Sequence, residues 1–577
     1  MNSSQANSRE YQRQAIDAEI RSLEESLRAL RFRRNALAPI SSLPPEIFAA
    51  IFSFSRLPAS GTTPLGGEPD RHLSWLRVAH VCHQWREVAL NLPFFWSHVD
   101  FTTLSLAGAT EMLVRAKSVP LYLEAWVPAR YWNGAQFSTF LQPRVSQICH
   151  LAISAESFHF ERVLEGLVSP APTLEYLSLS VVKYCDGAMW VRPPIPDSLF
   201  DGSTPRLSFL ELSDCDINWK SPLLRGLKYL KIRTPTADAR PSLSVWLDAL
   251  DEMPQLKTLG LHSASPITSS FPFDVERTVT LPSLTRLDIS TSAGNCGLAL
   301  AHLVLPALTS LCITALSGLP NAGDVQELLP YVVRHAHGPQ DTLPLQSVLI
   351  RGAGGVGAYA DIIAWPVPDI DVEVDTPTLL AATLSPRVAL SVRSTDLFDF
   401  DTYIEILDTA MAALPLDSLV MLTAQHLYDD LNTVPLHYEQ FWLRHAPRWP
   451  LLRRVRLASL VQDVLIKILL EDNGGRESPL LPSLTELVVV SAPLDEPWTL
   501  RLCDTLMKRV EQGIPLEMLD LRSCVQYSPT EVPLLSEIVV DVLGPSETIE
   551  ERTQIRDMWD PVVRGLFFEG NNSGAED

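Results

Sequence analysis

The sequence predicts an α/β protein with three main parts: an N-terminal helix, a small all-helical domain, and a repeat solenoid built on a curved parallel sheet. Three observations support this: aliphatic residues in heptad order near the start, a spaced set of prolines and aromatics between positions 43 and 96, and an aliphatic pattern that recurs after residue 147. The predicted boundaries are a heptad helix (1–38), a helical domain (40–100), a helix/strand transition that caps the repeats (101–147), the solenoid (148–540), and a C-terminal helix with a disordered tail (541–577).

Composition limits the classes of partner. With 577 residues the chain is too long for one ordinary compact domain, so it holds several domains or a repeat array. Because 46% of its residues are hydrophobic, it can bury a large core. The net charge of −22 disfavours nucleic acid and anionic membranes, since both attract basic surfaces. We therefore expect no nucleic-acid and no membrane partner.

Cysteine usage indicates the compartment. The eight cysteines include no C-x-x-C pair, and the polar N-terminus lacks an apolar signal region, so we expect a cytoplasmic and/or nuclear protein. Residues 297–320 carry no charge and are long enough to span a bilayer. However, His302, Pro306 and Pro320 interrupt that stretch, and its middle matches the repeat described below. We expect a soluble repeat unit there.

Residues 10–38 are predicted to form one helix. Charged residues cover most of its surface, and its apolar residues follow heptad spacing with Arg34 as an interruption. The apolar positions are Ile16, Ile20, Leu23, Leu27, Leu30 and Leu37. About three heptads allow a weak homodimeric coiled coil, and they equally allow packing against the next domain.

A possible metal site falls in the second predicted helix, where His80, Cys82 and His83 stand within four positions. At about 100° per residue, Cys82 shares a helix face with apolar residues, and both histidines project from the opposite side. The shared face comprises Val78, Val81, Cys82, Trp85, Ala89 and Leu92. The three side chains cannot converge on one zinc ion from such a helix. We expect no metal site and no cofactor.

The order of residues across this region has a known parallel. Leu43-Pro44-Pro45-Glu46-Ile47 is followed by Ile51-Phe52, Val81-Cys82, Trp85-Arg86, Leu92 and Phe95-Trp96. This order resembles the F-box, although the segment between the helices (56–72) is longer than usual. The resemblance implies a three-helix domain that docks onto a Skp1-like adaptor and, through it, a cullin. The implied adaptor-binding residues are Leu43, Pro44, Ile47, Ile51, Phe52, Val81, Cys82, Trp85 and Trp96.

The remainder of the chain repeats an aliphatic-x-x-aliphatic-x-aliphatic pattern. The twelve candidate units start at 148, 174, 207, 227, 256, 284, 308, 345, 416, 452, 484 and 516, and a degenerate unit is expected at 387–394. Seven units carry proline two residues before the first aliphatic, well above the chance frequency of about one. The prolines are Pro172, Pro205, Pro254, Pro282, Pro306, Pro450 and Pro482.

Units of 20–37 residues with this pattern resemble irregular leucine-rich repeats, with Cys215 and Cys524 as buried turn caps. An F-box followed by such repeats resembles ubiquitin-ligase substrate receptors and the expanded F-box families of mushroom-forming fungi. The resemblance implies the substrate-recognition subunit of an SCF-type cullin-RING E3 ubiquitin ligase. The alternative is a non-catalytic leucine-rich-repeat scaffold that takes no part in ubiquitination.

Alternate strand residues are predicted to face outward, where a target protein can contact them. Exposed aromatics beside charges are typical anchors of protein interfaces, unless loops cover them. The candidates for target binding are Tyr176, Phe209, Glu211, Tyr229, Lys231, Arg286, Arg454 and Arg456.

Two motifs suggest other chemistry. Gly352, Gly354 and Gly357 are in G-x-G-x-x-G order after a strand-like run, but Pro366 and Pro368 cut the helix expected next, which disfavours a dinucleotide site. The acidic alternation at 369–375 indicates a solvated strand face more than a metal site. We find no other catalytic motif, so we expect no catalytic residues and no enzyme activity.

Overall fold

The computed structural model is a mixed α/β protein that divides into two compact units, residues 1–223 and 224–577. Each unit contributes strands to mostly parallel β-sheet. The structure describes residues 2–54, 74–102, 104–127, 133–182, 192–233, 240–266, 277–317, 322–338, 342–353, 358–368, 385–394, 400–427, 436–458, 461–470, 479–493, 496–525 and 531–544. The acidic alternation at 369–375 and the predicted C-terminal helix after 544 fall outside these residues.

The first unit begins with a long helix, Asn2–Ala36, which lies within the predicted segment 1–38 and starts eight residues before the helix expected at 10–38. The heptad positions are exposed along its length, from Ile16 to Leu30. A contact with the following domain is made near its C-terminal end, where the ring of Phe32 meets His83 edge-on with centroids 5.9 Å apart. The heptad stripe is therefore not used to pack against that domain.

The described part of the helical domain contains five short elements. They are a 3₁₀ helix at Pro39–Ser42, an α-helix at Pro45–Phe54, a 3₁₀ helix at Ser74–His80, an α-helix at His83–Asn91 and a 3₁₀ helix at Pro93–Trp96. Pro45 is the first residue of its helix, where the missing N–H group costs nothing. The single helix predicted across Val78–Leu92 is wrong. The chain is extended at Cys82 (φ −158°, ψ 174°), so Val81 leaves the predicted face and is exposed.

The rest of the described first unit has five parallel strands in chain order: β1 (His98–Asp100), β2 (Leu121–Val127), β3 (Ile148–Glu156), β4 (Tyr176–Val182) and β5 (Phe209–Ser213). The described α-helices between these strands are Leu106–Ala116, Gly134–Leu141 and Ser157–Leu164, and 3₁₀ helices lie at Gln142–Gln147 and Leu199–Gly202. Residues alternate along each strand between buried aliphatics and half-exposed positions. β1 and β2 thus extend the parallel array ahead of residue 148.

The second unit has fourteen strands among its described residues. They are β6 (Tyr229–Arg233), β7 (Thr258–His262), β8 (Val279–Thr280), β9 (Arg286–Thr291), β10 (Leu303–Val304), β11 (Ser310–Ser317), β12 (Ser347–Ala353), β13 (Tyr359–Trp365), β14 (Val388–Ser394), β15 (Met421–Leu427), β16 (Arg454–Ala458), β17 (Glu486–Pro493), β18 (Met518–Val525) and β19 (Asp541–Leu543). The helices are Leu243–Asp251, Ala293–Ala301, Ala322–His337, Phe400–Ala413, Leu436–His445, Val461–Leu470, Glu496–Glu511 and Glu531–Ser536.

Apart from a separate pair of short strands, the described strands of the second unit follow chain order except at one place. β8 and β10 pair separately, and β6, β7, β9 and β11 are parallel neighbours. β11 then pairs with β14, β14 with β13, and β13 with β12, after which β12 pairs with β15 and parallel order resumes to β19. β13 is antiparallel to both neighbours. The degenerate unit expected at 387–394 is the strand β14.

The recurrent prolines have a local cause. In all seven cases the amide of the first aliphatic donates to the carbonyl three residues earlier, as Leu174 does to Ala171 and Leu484 to Leu481. Each such proline therefore stands at the second position of a β-turn, where its fixed φ is favourable. Each turn directs the chain into the next strand, which starts two residues after the aliphatic, as at Tyr176 and Glu486.

Two sequence assignments shift in the structure. The unit predicted to start at 416 starts three residues later, because Met421 is in register with Ser347 and the turn closes from Leu419 to Leu416. The uncharged stretch 297–320 contains the end of a nine-residue helix, Ala293–Ala301, followed by β10 and β11. None of the helices in the described ranges has the length and hydropathy needed to cross a membrane.

Candidate functional site

An aromatic cluster forms the interior of the helical domain. The ring of Phe52 lies 5.9 Å from Phe48, 5.3 Å from Trp85 and 5.8 Å from Phe95, measured between centroids. The indole N–H of Trp96 donates to the carbonyl of Ala89 at 2.8 Å. Such a cluster holds the two α-helices at a fixed separation, because close-packed rings resist displacement.

The helix Pro45–Phe54 carries two apolar stripes at i, i+4 spacing. Phe48 and Phe52 face the aromatic cluster and are fully buried. Ile47 and Ile51 lie on a neighbouring face with 45% and 37% of their surface exposed. Isoleucines that remain exposed beside a rigid core are available to a partner protein.

Other exposed apolar residues belong to the same domain. Val81 and Pro44 are exposed, whereas Leu43 and Cys82 are half-buried. The amide of Gln84 donates to the carbonyl of Ser41 at 3.0 Å, which ties the segment before Leu43 to the second helix. Ile40 is also exposed, and the sequence reading missed it because it precedes the motif. Its position as a lone aliphatic residue shortly before the helix Pro45–Phe54 was the sequence signal that could have identified it.

The nine residues predicted to bind an adaptor therefore divide into two groups. Phe52 and Trp96 are buried, and Trp85 is a half-buried member of the aromatic cluster. Phe52 is fully buried and only 7% of the surface of Trp96 is exposed, so both residues mainly maintain the shape of the domain. The six remaining residues reach the surface at least in part: Leu43, Pro44, Ile47, Ile51, Val81 and Cys82.

This arrangement coincides with a family match. Residues 40–102 match the model of the F-box-like family. They form an F-box-like domain. The match supports an F-box protein. F-box domains typically bind Skp1-like adaptors, which suggests an adaptor-binding role in ubiquitin ligation for this domain. A search of curated proteins found no match to the chain.

The first unit also brings three of the target candidates together on the outward face of its sheet. Tyr176 stacks on Phe209 with centroids 4.1 Å apart, and Glu211 lies two residues further along β5. The stack extends through residues that the sequence reading missed, His98, Tyr122 and His150. Their common register position was the available signal, since all five residues are Cα partners on successive strands.

The other candidates lie on the second unit, half-buried at outward strand positions and engaged within the chain. The Arg454 guanidinium pairs with Glu486 at 2.5 Å, and Arg286 donates to the hydroxyl of Ser385 at 3.3 Å. Burial alone raises the pKa of Asp288, but a hydrogen bond from His262 and the charges of Lys231 and Arg286 bring it below its usual value. Tyr229 and Arg456 occupy equivalent outward positions.

The glycine motif has a packing role. A Cβ on Gly352 would stand 2.2 Å from the ring of Tyr403, so glycine is required for the helix Phe400–Ala413 to approach β12. The helix predicted after the glycines is wrong, because Tyr359–Trp365 is the strand β13. Gly354 and Gly357 lie outside the described residues. Without a following helix, the part of the motif that the structure describes does not form a phosphate-binding turn.

The thiols and histidines form no metal cluster within the described ranges. The buried thiol of Cys524 donates to the carbonyl of Val489 at 3.3 Å, and burial raises the pKa of Cys215, whose thiol lies 3.8 Å from the carbonyl of Leu179. His83 pairs with Glu87 at the surface. The two thiols satisfy local hydrogen bonds and His83 contacts a neighbouring carboxylate, so these groups have structural roles.

Proposed function

We propose that this protein is the substrate-recognition subunit of an SCF-type cullin-RING E3 ubiquitin ligase. The observation that carries the proposal is the exposed Ile47/Ile51 stripe on a rigid aromatic core, within a domain that matches the F-box-like family. The domain would bind a Skp1-like adaptor and, through it, a cullin, while the strands behind it hold a target protein. The chain would hold the target close to the enzyme that transfers ubiquitin. It would itself supply no catalytic residue and bind no cofactor. Its site of action is the cytoplasm and/or nucleus.

The repeats are proposed to be irregular leucine-rich repeats stacked into a solenoid. Support comes from the recurring proline turns, from the parallel strands that follow each turn, and from the buried thiols of Cys215 and Cys524. Stacked units of this kind bury a continuous core and leave one strand residue in two facing outward. That outward surface is where a target protein would be held.

Replacing Ile47 and Ile51 by aspartate is expected to weaken adaptor binding by about 100-fold or more, because buried apolar anchors dominate protein interfaces. Both side chains are exposed, so the domain remains folded. The measurement is the affinity of purified full-length protein for a Skp1-like adaptor by isothermal titration. Replacing Leu43 and Pro44 by alanine is expected to act in the same direction.

The matched control replaces Leu106 and Val114, two exposed aliphatic residues on the helix Leu106–Ala116, by aspartate. Adaptor binding should be unchanged in this variant. Equal affinity for the Ile47/Ile51 variant and the wild-type protein would reject the docking assignment.

The alternative function is a repeat scaffold that takes no part in ubiquitination. It is favoured if the wild-type protein retains its target in cells and the target never acquires ubiquitin. Purification of the Ile47/Ile51 variant separates the two functions. If the protein is a ligase subunit, more target co-purifies with the variant than with the wild-type protein. If it is a scaffold, equal amounts of target co-purify with the variant and the wild-type protein.

We also propose that the N-terminal helix forms a weak homodimer, and its charges favour an antiparallel pairing. Residues 2–25 of the helix carry five acidic residues and three arginines, whereas residues 26–37 carry four arginines and no acid. With Leu23 opposite Leu27 of a second copy, Asp17 would face Arg31 and Glu19 would face Arg33. A parallel pair would instead place Glu19 near Glu24.

Replacing Leu23 and Leu27 by aspartate is expected to convert the dimer to monomer, which sedimentation equilibrium of the full-length protein can measure. Both positions are exposed within one chain, so the fold of the monomer is unaffected. Replacing Phe158, an exposed aromatic outside the helix, by aspartate is the control. A wild-type protein that remains monomeric at the highest attainable concentration would contradict the proposal.

A further inference from the structure

Five aromatic rings form a continuous ladder across the sheet of the first unit. His98 stacks on Tyr122 with centroids 4.1 Å apart and an interplanar angle of 4°. Tyr122 lies 5.9 Å from His150, and His150 stacks on Tyr176 at 3.8 Å and 10°. Tyr176 stacks on Phe209 at 4.1 Å and 17°. With strands about 4.8 Å apart, the ladder is about 19 Å long.

A row beside the ladder on the same face carries carboxylates on β1, β2 and β5, with Ala152 and Ser178 between them on β3 and β4. Register places Asp100, Glu124 and Glu211 two residues beyond His98, Tyr122 and Phe209 on their strands, which is about 7 Å away. Burial and then the charges of Glu211 and Glu124 raise the pKa of Tyr176. The carboxylates are therefore close enough to affect the ladder electrostatically.

The outward positions of β1–β5 carry acidic but no strongly basic side chains. Along these five strands those positions are His98, Asp100, Tyr122, Glu124, Trp126, His150, Ala152, Ser154, Glu156, Tyr176, Ser178, Ser180, Val182, Phe209, Glu211 and Ser213, with no lysine or arginine among them. Burial lowers the pKa of His150 to about 4, so its ring is neutral at physiological pH. The face of these strands is negatively charged around an aromatic strip.

We propose that this face, the aromatic ladder with its carboxylate row, binds an extended basic segment of a protein target; in calling the bound protein a target, the inference rests on the proposed function. Stacked rings occupy one another's faces, so the ladder offers mainly ring edges and an apolar strip. The aliphatic stems of lysine or arginine lie along that strip, while their charged ends reach the carboxylate row. About six extended residues cover the length of the ladder.

The choice of a basic segment follows from two properties of this face. An acidic segment would be repelled by the carboxylate row, and like charges across an interface are strongly unfavourable. A purely apolar segment would exclude water from those carboxylates and bring no charged group to compensate. A segment with alternating basic residues places every second side chain on the strip, in keeping with the alternation of an extended chain.

The test is fluorescence anisotropy of a labelled peptide in which arginine alternates with serine, titrated with the full-length protein. Replacing Glu124 and Glu211 by glutamine preserves shape and removes charge, and is expected to lower the affinity at least about tenfold. Replacing Tyr122 and Tyr176 by alanine is expected to do the same. The variant Tyr176→Phe retains the ring and should bind like the wild-type protein.

Two controls belong to the same unit. Replacing Glu165, an exposed acid, by glutamine and Phe158, an exposed aromatic, by alanine should leave peptide affinity unchanged. Raising the salt concentration to about 1 M, where the Debye length is about 3 Å, should weaken binding. A thermal melt of each variant shows that the unit remains folded.

Absence of binding by the wild-type protein, equal binding of a glutamate–serine peptide, or binding of a neutral oligosaccharide in its place would overturn the inference. So would an equal loss of affinity in the control variants. Because the assay contains no adaptor, its failure leaves the docking assignment standing. Loss of adaptor binding in the separate titration would conversely leave the peptide site standing.

Discussion

Replacing Phe52 by alanine is expected to destabilise the F-box-like domain by about 3–5 kcal/mol. Phe52 is fully buried, and its ring contacts Phe48, Trp85 and Phe95 within 6 Å between centroids. Removing it opens a cavity at the centre of the cluster, which the surrounding rings can fill only in part. Adaptor binding should be lost because the domain that presents Ile47 and Ile51 no longer holds its shape.

The measurement is hydrogen exchange of the amides in the helices Pro45–Phe54 and His83–Asn91. Exchange reports on the domain alone, whereas a single melting temperature would mix it with the rest of the chain. The control is Ile47→Ala, on the exposed stripe of the same helix, which should retain protection and still weaken adaptor binding. If Phe52→Ala keeps full protection yet loses the adaptor, Phe52 is a contact residue and our division of the nine residues is wrong.

That division could not have been read from the sequence. Ile47, Phe48, Ile51 and Phe52 are all apolar, and an apolar helix with two adjacent stripes does not reveal which stripe faces the core. The structure resolves this through the partner helix, which begins at His83 after the extended Cys82. Because the sequence predicted one continuous helix there, it placed Val81 on the same face as Trp85.

The strand pattern was more predictable, because its signal is local. A proline at the second position of a turn and an aliphatic two residues later fix the start of a strand without reference to distant residues. The reversed order of β12, β13 and β14 was missed for the opposite reason. It depends on pairing between segments far apart in sequence, such as Leu311 with Val388, which no short pattern encodes.

The sequence could predict which strand residues face outward, but not which residues they contact there. Period-2 alternation correctly placed Tyr176 and Phe209 on the exposed side of their strands. Their stacking partners His150 and Tyr122 became visible only through the register between strands. Likewise, the charges of Arg454 and Lys231 were predicted as surface features, but Glu486 and Asp288 already engage them within the chain.

Replacing Asp361 by alanine is expected to destabilise the second unit by about 3–5 kcal/mol, because it leaves buried positive charge without its counterion. Asp361 is 2% exposed on the antiparallel strand β13. It accepts from Arg351 on β12 at 2.7 Å, from Ser391 on β14 at 2.5 Å, and from Arg393 on β14 at 3.3 Å. One carboxylate thus joins the three strands whose order is reversed.

A second substitution distinguishes the effect of an unpaired buried charge from the effect of lost packing at β13. Replacing Arg351 and Asp361 together by leucine should be much less damaging than Asp361→Ala alone, because a buried ion pair exchanged for apolar side chains costs little, and Arg393 remains 40% exposed. Hydrogen exchange of the β13 amides measures both variants. The surface control is Asp251→Ala, where Arg277 keeps Asp248 at 2.7 Å and protection should not change. If the single and double variants lose protection equally, the cluster contributes packing alone, and the reversed strand is held by its backbone pairing with β12 and β14.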